Sequence, residues 1–278
     1  MKAQYEILAE LDQGAFGAVY MAHDGHLDKV VAVKQLTNAD PKVLRDEARI
    51  LSELRHENIV GFRQLFPEDG QWFMVMDYVK GGSLAKWIRD KRLYEGDPKG
   101  ALERMLSFAI QFAEGLGFAH RHGVIHQDVK PGNVLIDVSV EPTGVAKVSD
   151  FGLAKARAQA QLQQPQVGQQ GILVSVGGMT PAYCSPEQYG REALTARTDV
   201  WSWAVTVLEM FAGGVRWQHG TAAREALEAY SKLGGVDDLG IPPMPEAVAR
   251  LLKNCLAQKP TSRPQMRDVA AGLKAIYG

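Results

Sequence analysis

The sequence is poor in cysteine, has no long apolar run and carries no excess of either charge. Its two cysteines, Cys184 and Cys255, stand outside any CxxC motif or Cys/His cluster, which excludes a disulfide framework and favours reduced thiols. The longest apolar stretch, residues 200–212, falls short of the roughly 20 residues of a membrane-spanning helix, and the N-terminus lacks the apolar core of a signal peptide. We therefore expect a cytoplasmic protein, or the cytoplasmic domain of a longer one, with no membrane insertion.

Net charge, composition and length further restrict the class of protein. Lys and Arg number 31 against 32 Asp and Glu, so the net charge is −1 and no global field favours binding of nucleic acid. With 46% hydrophobic and 23% charged residues, the composition excludes disorder, collagen and coiled coil for the chain as a whole. A length of 278 residues suits roughly two domains or one large domain.

Hydrophobic periodicity divides the chain into a β-rich part and a helical part at the pair Gly81 and Gly82. The runs typical of strands are residues 5–11, 18–22, 30–36, 62–66 and 72–79. The patterns typical of helices are residues 41–55, 102–122, 198–211 and 247–257. We predict an α+β architecture with a small β-rich lobe, residues 1–79, and a larger, mostly helical lobe, residues 80–278.

The β-rich part contains glycines and charged residues at unusual places. Gly14 and Gly17 lie between two predicted strands, where backbone without Cβ atoms can approach an anion, although such pairs also form plain hairpin turns. Lys34 stands inside an apolar strand, a position where a lysine commonly faces solvent. Glu47 shares the apolar face of the predicted helix with leucines on neighbouring turns, so its carboxylate needs a partner. Lys34 is the candidate partner of Glu47.

A second cluster places oxygen-bearing side chains around a short apolar strand. Asp128 and Asn133 precede the strand at residues 134–136, and Asp150 follows it. Mg²⁺ prefers hard oxygen ligands and usually binds through one or two protein groups plus phosphates. Asn133 and Asp150 suit that role, which leaves Asp128 to accept a proton from an incoming hydroxyl.

In this order along the chain, the residues resemble the catalytic domain of eukaryotic-type (Hanks-type) serine/threonine protein kinases, most of all its bacterial members. The resemblance covers about residues 5–276 and implies a bilobal protein-kinase-like fold. The motifs that carry it are Gly14-x-x-Gly17-x-Val19, Val31-Ala32-Val33-Lys34, Glu47, His126-x-Asp128, Asn133, Asp150-Phe151-Gly152, Ser185-Pro186-Glu187, Asp199 and Arg263. Each motif is modest alone, but the ordered set makes coincidence negligible.

The resemblance implies ATP and Mg²⁺, or Mn²⁺ in its place, as cofactors. Lys34, paired with Glu47, would hold the α- and β-phosphates. Asp128 would be the catalytic base, and Lys130 would steady the γ-phosphate, while the metal ligands would be Asn133 and Asp150. A packed spine would join the lobes through Leu51, Phe62, His126 and Phe151. The residues implied in nucleotide binding are Leu11, Gly14, Ala15, Phe16, Gly17, Val19, Ala32, Lys34, Met76, Asp77, Val79 and Leu135.

Lys130 and Thr180 resemble serine/threonine kinases rather than tyrosine kinases. The implied reaction transfers the γ-phosphate of ATP to Ser or Thr hydroxyls of protein substrates, including autophosphorylation in trans. Two other interpretations stay open. One is a nucleotide-binding pseudokinase that acts as a scaffold or regulator. The other is a small-molecule phosphotransferase, against which Ser185-Pro186-Glu187 together with Arg263 argues.

Two positions depart from the family pattern. Asp12 replaces the first glycine of GxGxxG, and we expect its charge to weaken ATP binding. Gln127 replaces the arginine of His-Arg-Asp and cannot form a bidentate ionic pair with phosphate, so we expect activity to depend little on phosphorylation of the activation loop. The glutamine-rich residues 159–170 predict a mobile loop, and Ser175 is the candidate modification site near it.

Several other residues have structural interpretations. We expect Glu187 and Arg263 to form a buried ion pair, and Trp201 and Trp203 to lie in the core. The basic residues 120–122 are expected to stabilise the C-terminus of a helix.

Overall fold

The structure is a computed structural model, which describes residues 4–14, 17–37, 40–140, 144–151, 180–236 and 240–277. Its N-terminal part is an antiparallel sheet in the strand order β1-β2-β3-β5-β4. The strands are β1 (Tyr5–Gly14), β2 (Gly17–Asp24), β3 (Lys29–Leu36), β4 (Phe62–Glu68) and β5 (Gln71–Asp77). All five agree with strands expected from the sequence.

Helix α1 (Pro41–Glu53) connects β3 to β4. It begins where the side chain of Asp40 accepts a hydrogen bond from the amide of Lys42, with a proline in the first turn. The residues that α1 buries are Leu44, Glu47 and Leu51, which confirms that Glu47 shares the apolar face.

The C-terminal part is mostly helical. Its helices are α2 (Leu84–Arg89), α3 (Pro98–Arg121), α4 (Pro186–Tyr189), α5 (Ala196–Ala212), α6 (Ala223–Leu233), α7 (Glu246–Cys255) and α8 (Met266–Tyr277). Strands β6 (Val134–Asp137) and β7 (Val145–Val148) form a separate antiparallel pair. Helix α5 is buried on all sides from Thr198 onward, which explains why most of its residues are apolar. Trp201 and Trp203 are fully buried in it, as expected.

The segment before β4 fastens the two parts together. The amide of Val60 donates to the carbonyl of Val148 at 2.9 Å, and the amide of Val148 donates to the carbonyl of Asn58 at 2.9 Å. Gly115 of α3 lies so close to Asn58 that a Cβ would collide with its carbonyl oxygen. These backbone contacts fix strand β7, and therefore the residues that follow it, relative to the sheet.

The sequence did not predict helices α2, α4, α6 and α8, or strand β7. None of the helices within the described ranges is long and apolar enough to cross a membrane. The architecture confirms the α+β prediction, whereas the lobe boundary at residue 79 stays a prediction.

Candidate active site

One face of the sheet carries the side chains that the sequence assigns to the nucleotide. Directly opposed residues of antiparallel strands point to the same face, as do residues two apart on one strand. Val19 pairs with Lys34, and Ala32 pairs with Met76. Val19, Ala32, Lys34 and Met76 therefore share one face. Lys34 is 5% exposed, so the alternative in which it faces solvent is wrong.

The ammonium of Lys34 forms an ion pair with Asp150, with Nζ 2.6 Å from Oδ1. The sequence predicted Glu47 as its partner, but no ion pair joins Lys34 to Glu47 among the described residues. Asp150 has a positive φ of 60°, and a conformation so rare for a non-glycine residue commonly occurs at functional sites. The carboxylate of Asp150 therefore pairs with the ammonium of Lys34, for which the sequence predicted Glu47 as the partner.

Asp199 of α5 holds the backbone of the catalytic segment. Its Oδ2 accepts a hydrogen bond from the amide of His126 at 2.8 Å, and its Oδ1 accepts from the amide of Gln127 at 2.9 Å. Gln127 has a φ of 67°, and its carbonyl accepts from Nε2 of Gln188 at 2.7 Å. Hydrogen bonds on both sides therefore hold a strained residue next to Asp128.

His120 at the end of α3 forms a hydrogen bond with Asp199, with Nε2 2.7 Å from Oδ2. Burial alone would raise the pKa of Asp199, but the hydrogen bond and charge of His120, with further contributions from His126, keep that pKa below its usual value. The sequence assigned His120 only to the end of a helix and missed this contact.

Asp128, Lys130 and Thr180 form one hydrogen-bonded group. Nζ of Lys130 lies 2.8 Å from Oδ2 of Asp128 and donates to Oγ1 of Thr180 at 2.7 Å. The hydroxyl of Thr180 donates to Oδ1 of Asp128 at 3.0 Å. The sequence used Thr180 only as a sign of kinase class, and the structure places it in contact with the predicted base.

Asn133 lies beside this group in the turn before β6. Its Nδ2 donates to the carbonyl of Asp128 at 2.7 Å and contacts Oδ2 of Asp128 at 3.2 Å. Because the amide nitrogen is used in this way, the amide oxygen of Asn133 remains as its ligand atom. Asn133 and Asp150 thus supply hard oxygen donors, which fits the metal that the sequence predicted at these residues.

His126 and Phe151 stack in the interior, with ring centroids 4.8 Å apart. Nε2 of His126 is also 2.8 Å from the carbonyl oxygen of Ser149. Leu51, Phe62 and Phe151 line one small cavity between α1, β4 and β7. The four residues predicted as a packed spine are therefore brought together.

The predicted hinge follows β5. The amide of Asp77 donates to the carbonyl of Gly61 at 2.8 Å, so Asp77 can offer only its carbonyl oxygen to a ligand. Its side chain forms an ion pair with Arg63, with Nη2 2.6 Å from Oδ1. Val79 is buried and Leu135 is half-buried, while Leu11 is 45% exposed.

Gly17 begins β2 with a φ of 119°, and a Cβ there would collide with the carbonyl oxygen of Gln35. Only glycine fits this close approach. Gly14 pairs with Gly17 in the register of β1 and β2. The other predictions in these motifs and in the loop, for Ala15, Phe16, Gly152, Ser175 and residues 159–170, lie outside the described residues.

Glu187 and Arg263 form the predicted buried ion pair. Nη1 and Nη2 of Arg263 contact the two carboxylate oxygens at 2.6 and 2.9 Å, and the hydroxyl of Thr198 donates to Oε1 at 2.9 Å. Burial opposes ionisation of Glu187, but Arg263 outweighs it and lowers the pKa of Glu187. The pair ties α4 to the segment before α8.

A second buried carboxylate, Glu209 of α5, accepts a hydrogen bond from the hydroxyl of Tyr183 at 2.7 Å. Burial raises the pKa of Glu209 to about 7, and the bond from Tyr183 opposes that shift only in part. The sequence gave no sign of this contact, because Tyr183 and Glu209 are 26 positions apart and no local pattern relates them.

Comparison with known proteins agrees with this geometry. The chain matches the protein kinase domain family over residues 5–272. Over 99% of its length it is 31% identical to RqkA, a DNA damage-responsive serine/threonine-protein kinase of Deinococcus radiodurans, and it spans 40% of that protein. It is 29% identical to the serine/threonine-protein kinase PrkC of Bacillus subtilis over 100% of its length, and it spans 41% of PrkC.

Among solved structures, the kinase domain of Mycobacterium tuberculosis PknI, crystallised as a double mutant, has the same fold. The TM-score is 0.66 at 22% sequence identity, and the match covers 99% of this chain and 96% of the PknI chain. This likeness confirms the bilobal kinase-like fold that the resemblance implied. By the family match and by its fold, the chain belongs to the protein kinase domain family.

Proposed function

We propose that the chain transfers the γ-phosphate of ATP to serine and threonine hydroxyls of proteins. The observation that carries the proposal is the hydrogen-bonded group of Asp128, Lys130 and Thr180, with Asn133 attached to Asp128. A carboxylate, a cation and a hydroxyl meet there beside oxygen donors for a metal, which is the set that phosphoryl transfer to an alcohol requires.

Asp128 accepts the proton of the acceptor hydroxyl in this proposal. One of its carboxylate oxygens, Oδ1, accepts a hydrogen bond from the neutral hydroxyl of Thr180 at 3.0 Å. An acceptor serine or threonine can donate to the same carboxylate. As its oxygen forms the new bond to the γ-phosphorus, the bond to the leaving ADP oxygen breaks and the proton passes to Asp128.

Lys130 and Lys34 supply positive charge at two ends of the phosphate chain. Lys130 contacts Asp128 and so lies where the γ-phosphate meets the acceptor. Lys34 lies on the sheet face with Val19 and Ala32 and serves the α- and β-phosphates. Fixed charges of this kind act mainly by stabilising the charge of the transition state.

Mg²⁺, or Mn²⁺ in its place, would neutralise phosphate charge when bound. Asn133 and Asp150 are the residues that would hold it through their side-chain oxygens. Adenine would lie between Val19 and Ala32 on one side and Leu135 on the other. It would bond to the carbonyl of Asp77 and the backbone of Val79, while the turn from Gly14 to Gly17, with Ala15 and Phe16, would cover the phosphates beside Leu11 and Met76.

Glu47 keeps its predicted catalytic role within the proposal. It is 3% exposed and faces the interior from α1. Its matched control is Glu53, an exposed glutamate at the end of the same helix. We expect Glu47→Gln to lower the transfer rate at least about tenfold, as loss of a charge-assisted contact does, whereas Glu53→Gln leaves it unchanged. Equal rates in both variants would remove Glu47 from the site.

Protein substrates, autophosphorylation in trans and a cytoplasmic location belong to the same proposal. The relatives are serine/threonine kinases by name, and the contact of Lys130 with Thr180 supports the same acceptor class. The decisive experiment incubates the chain with labelled ATP and Mg²⁺, alone and with a generic basic protein. It compares wild type with Asp128→Ala and with Asp90→Ala, an exposed aspartate as control.

We expect label on serine or threonine in wild type and Asp90→Ala and none in Asp128→Ala. Transfer from wild type to the Asp128→Ala chain would establish the trans reaction. If no label appears while ATP still raises the melting temperature, the chain is a nucleotide-binding scaffold. Label on small alcohols but not on proteins would indicate a small-molecule phosphotransferase.

A further inference from the structure

A second pocket lies on the far side of Asp199, where the ends of three helices meet. It has a volume of about 280 Å³. The end of α3 contributes His120 and Arg121, the start of α5 contributes Arg197, and the start of α8 contributes Arg267. None of these residues belongs to the nucleotide or acceptor site.

The lining of this pocket is cationic. Of the described residues that line it, three are arginines and one is a histidine, and none is an aspartate or a glutamate. Two carboxylates, those of Asp199 and Asp268, are paired with residues of the lining. Asp199 bonds to His120 and to two backbone amides, and Asp268 is 3.5 Å from Arg267 in an exposed pair. Within the described ranges, neither Arg121 nor Arg197 forms an ion pair. Of the four cationic residues, His120 and Arg267 therefore have carboxylate partners, whereas no ion pair among the described residues neutralises Arg121 and Arg197.

Arg197 has a guanidinium group whose hydrogen bonds the described residues satisfy only in part. Its Nη1 is buried from solvent and has no hydrogen-bond acceptor in the described part of the chain. A guanidinium nitrogen deprived of both water and an acceptor costs free energy. The rest of this half-buried side chain is accessible, so an anion in the pocket would contact the same guanidinium group.

The helix directions add to the positive potential. Helix α5 begins at Ala196 and α8 begins at Met266, and both residues line the pocket. The N-terminus of a helix carries roughly half a positive charge. Two such ends and three guanidinium groups surround the cavity, and the C-terminus of α3, which carries roughly half a negative charge, opposes them only in part.

We propose that this pocket binds a phosphate group, as inorganic phosphate or as a phosphorylated side chain. Arginine is suited to phosphate because its planar guanidinium donates two parallel hydrogen bonds to two oxygens. The volume admits a phosphate with part of the residue that carries it. Because His120 lines the pocket and bonds to Asp199, a bound phosphate would lie one side chain away from the residue that holds His126 and Gln127.

The test is calorimetric titration of the whole chain, at constant ionic strength, with inorganic phosphate and with a phosphoserine peptide. The unphosphorylated peptide is the control ligand. Arg197→Gln and Arg121→Gln should each weaken binding roughly tenfold, as loss of a charge-assisted hydrogen bond does. The control variant is Arg250→Gln, which removes an arginine that is 64% exposed and lies outside the pocket. It should bind as wild type does.

Arg121 is exposed, so its substitution tests the pocket even if Arg197→Gln does not fold. Saturable binding of either phosphate probe that both pocket variants weaken supports the proposal, and the probe that binds identifies the source of the phosphate. Absence of binding by both probes overturns it. So does binding that survives both substitutions, because that phosphate would occupy another site such as the nucleotide cleft. None of these outcomes depends on transfer activity.

Discussion

The ammonium of Lys34 on β3 lies 2.6 Å from a carboxylate oxygen of Asp150, 116 residues later in the chain. This ion pair joins the five-stranded sheet to the segment that follows β7. The ammonium is 6% exposed and the carboxylate 24% exposed, so solvent screens the pair only in part. It brings a predicted phosphate ligand and a predicted metal ligand into direct contact.

Substitution of Lys34 should therefore affect activity far more than stability of the sheet. We expect Lys34→Met to lower the transfer rate by roughly 10²–10³, the usual effect of losing a preorganised charge at a reacting phosphate. It should also reduce the rise in melting temperature that ATP produces. Lys29→Met is the matched control, because Lys29 is exposed on the same strand. Wild-type rates in Lys34→Met would show that this lysine does not serve the nucleotide.

Much of the site could be predicted because its residues lie in short ordered motifs. The alternation of side chains along a β-strand predicts that Ala32 and Lys34 share one face, whereas only the register of the strands adds Val19 and Met76 to it. The sequence predicted Glu47 as the partner of Lys34 and assigned Asp150 to the metal. The contact with Asp150 could not be predicted, because Asp150 lies 116 residues after Lys34 and no local pattern relates the two.

The supporting contacts could not be predicted because no local pattern encodes them. His120 and Asp199 are 79 residues apart, and Arg63 meets Asp77 through strand pairing. The sequence does contain a pattern that indicates helix α8, although this helix was not predicted. After Pro264, the apolar residues Val269 and Leu273 stand four positions apart, which places them on one helix face.

Removing the charge of Asp12 should strengthen ATP binding. Asp12 is exposed on β1 opposite Val19, one of the predicted adenine contacts. A charge about 8 Å from a phosphate costs roughly 0.5–2 kcal/mol, so Asp12→Gly should lower the dissociation constant of ATP by about 2- to 30-fold. Asp12→Asn removes the charge without adding the backbone freedom of glycine, and it should lower the dissociation constant of ATP by most of the same factor. An unchanged constant in both variants would mean that the carboxylate points away from the nucleotide.

Removal of phosphate from the chain should leave most of its activity. Gln127 has no cationic group with which to clamp a phosphorylated loop, and its strained backbone is already held by Asp199 and Gln188. We expect phosphatase-treated and mock-treated protein to transfer label at similar rates once the phosphatase is removed. Loss of nearly all activity after treatment would contradict this expectation.

Stability should fall as the pH rises toward neutrality because of Glu209. Its pKa rises from 4.5 to about 7 on folding, chiefly through burial, so the folded chain binds more protons than the unfolded chain between these values. The stabilising effect of the proton is complete below pH 4.5 and is lost as the pH passes 7. At 1.36 kcal/mol per pH unit, the loss is about 3 kcal/mol. Urea unfolding at several pH values should show that Glu209→Gln gains stability relative to wild type as the pH rises; a constant difference would contradict the assignment.

Arg263 and Arg250 provide a matched comparison between a buried ion pair and an exposed one. Arg263 is fully buried against Glu187, so Arg263→Ala leaves a buried carboxylate unpaired and should cost about 3–5 kcal/mol in the free energy of unfolding. Arg250 contacts Glu246 one turn away on the surface of α7, and Arg250→Ala should cost less than about 0.5 kcal/mol. Denaturant unfolding of both variants measures the difference.

Part of the larger cost comes from the packing of the Arg263 guanidinium 4.9 Å from the ring centroid of Trp201. Glu187→Gln, which keeps that packing and the side-chain shape, should therefore be less destabilising than Arg263→Ala. If the two buried variants were equally destabilised, the charge pair alone would account for the stability of this junction.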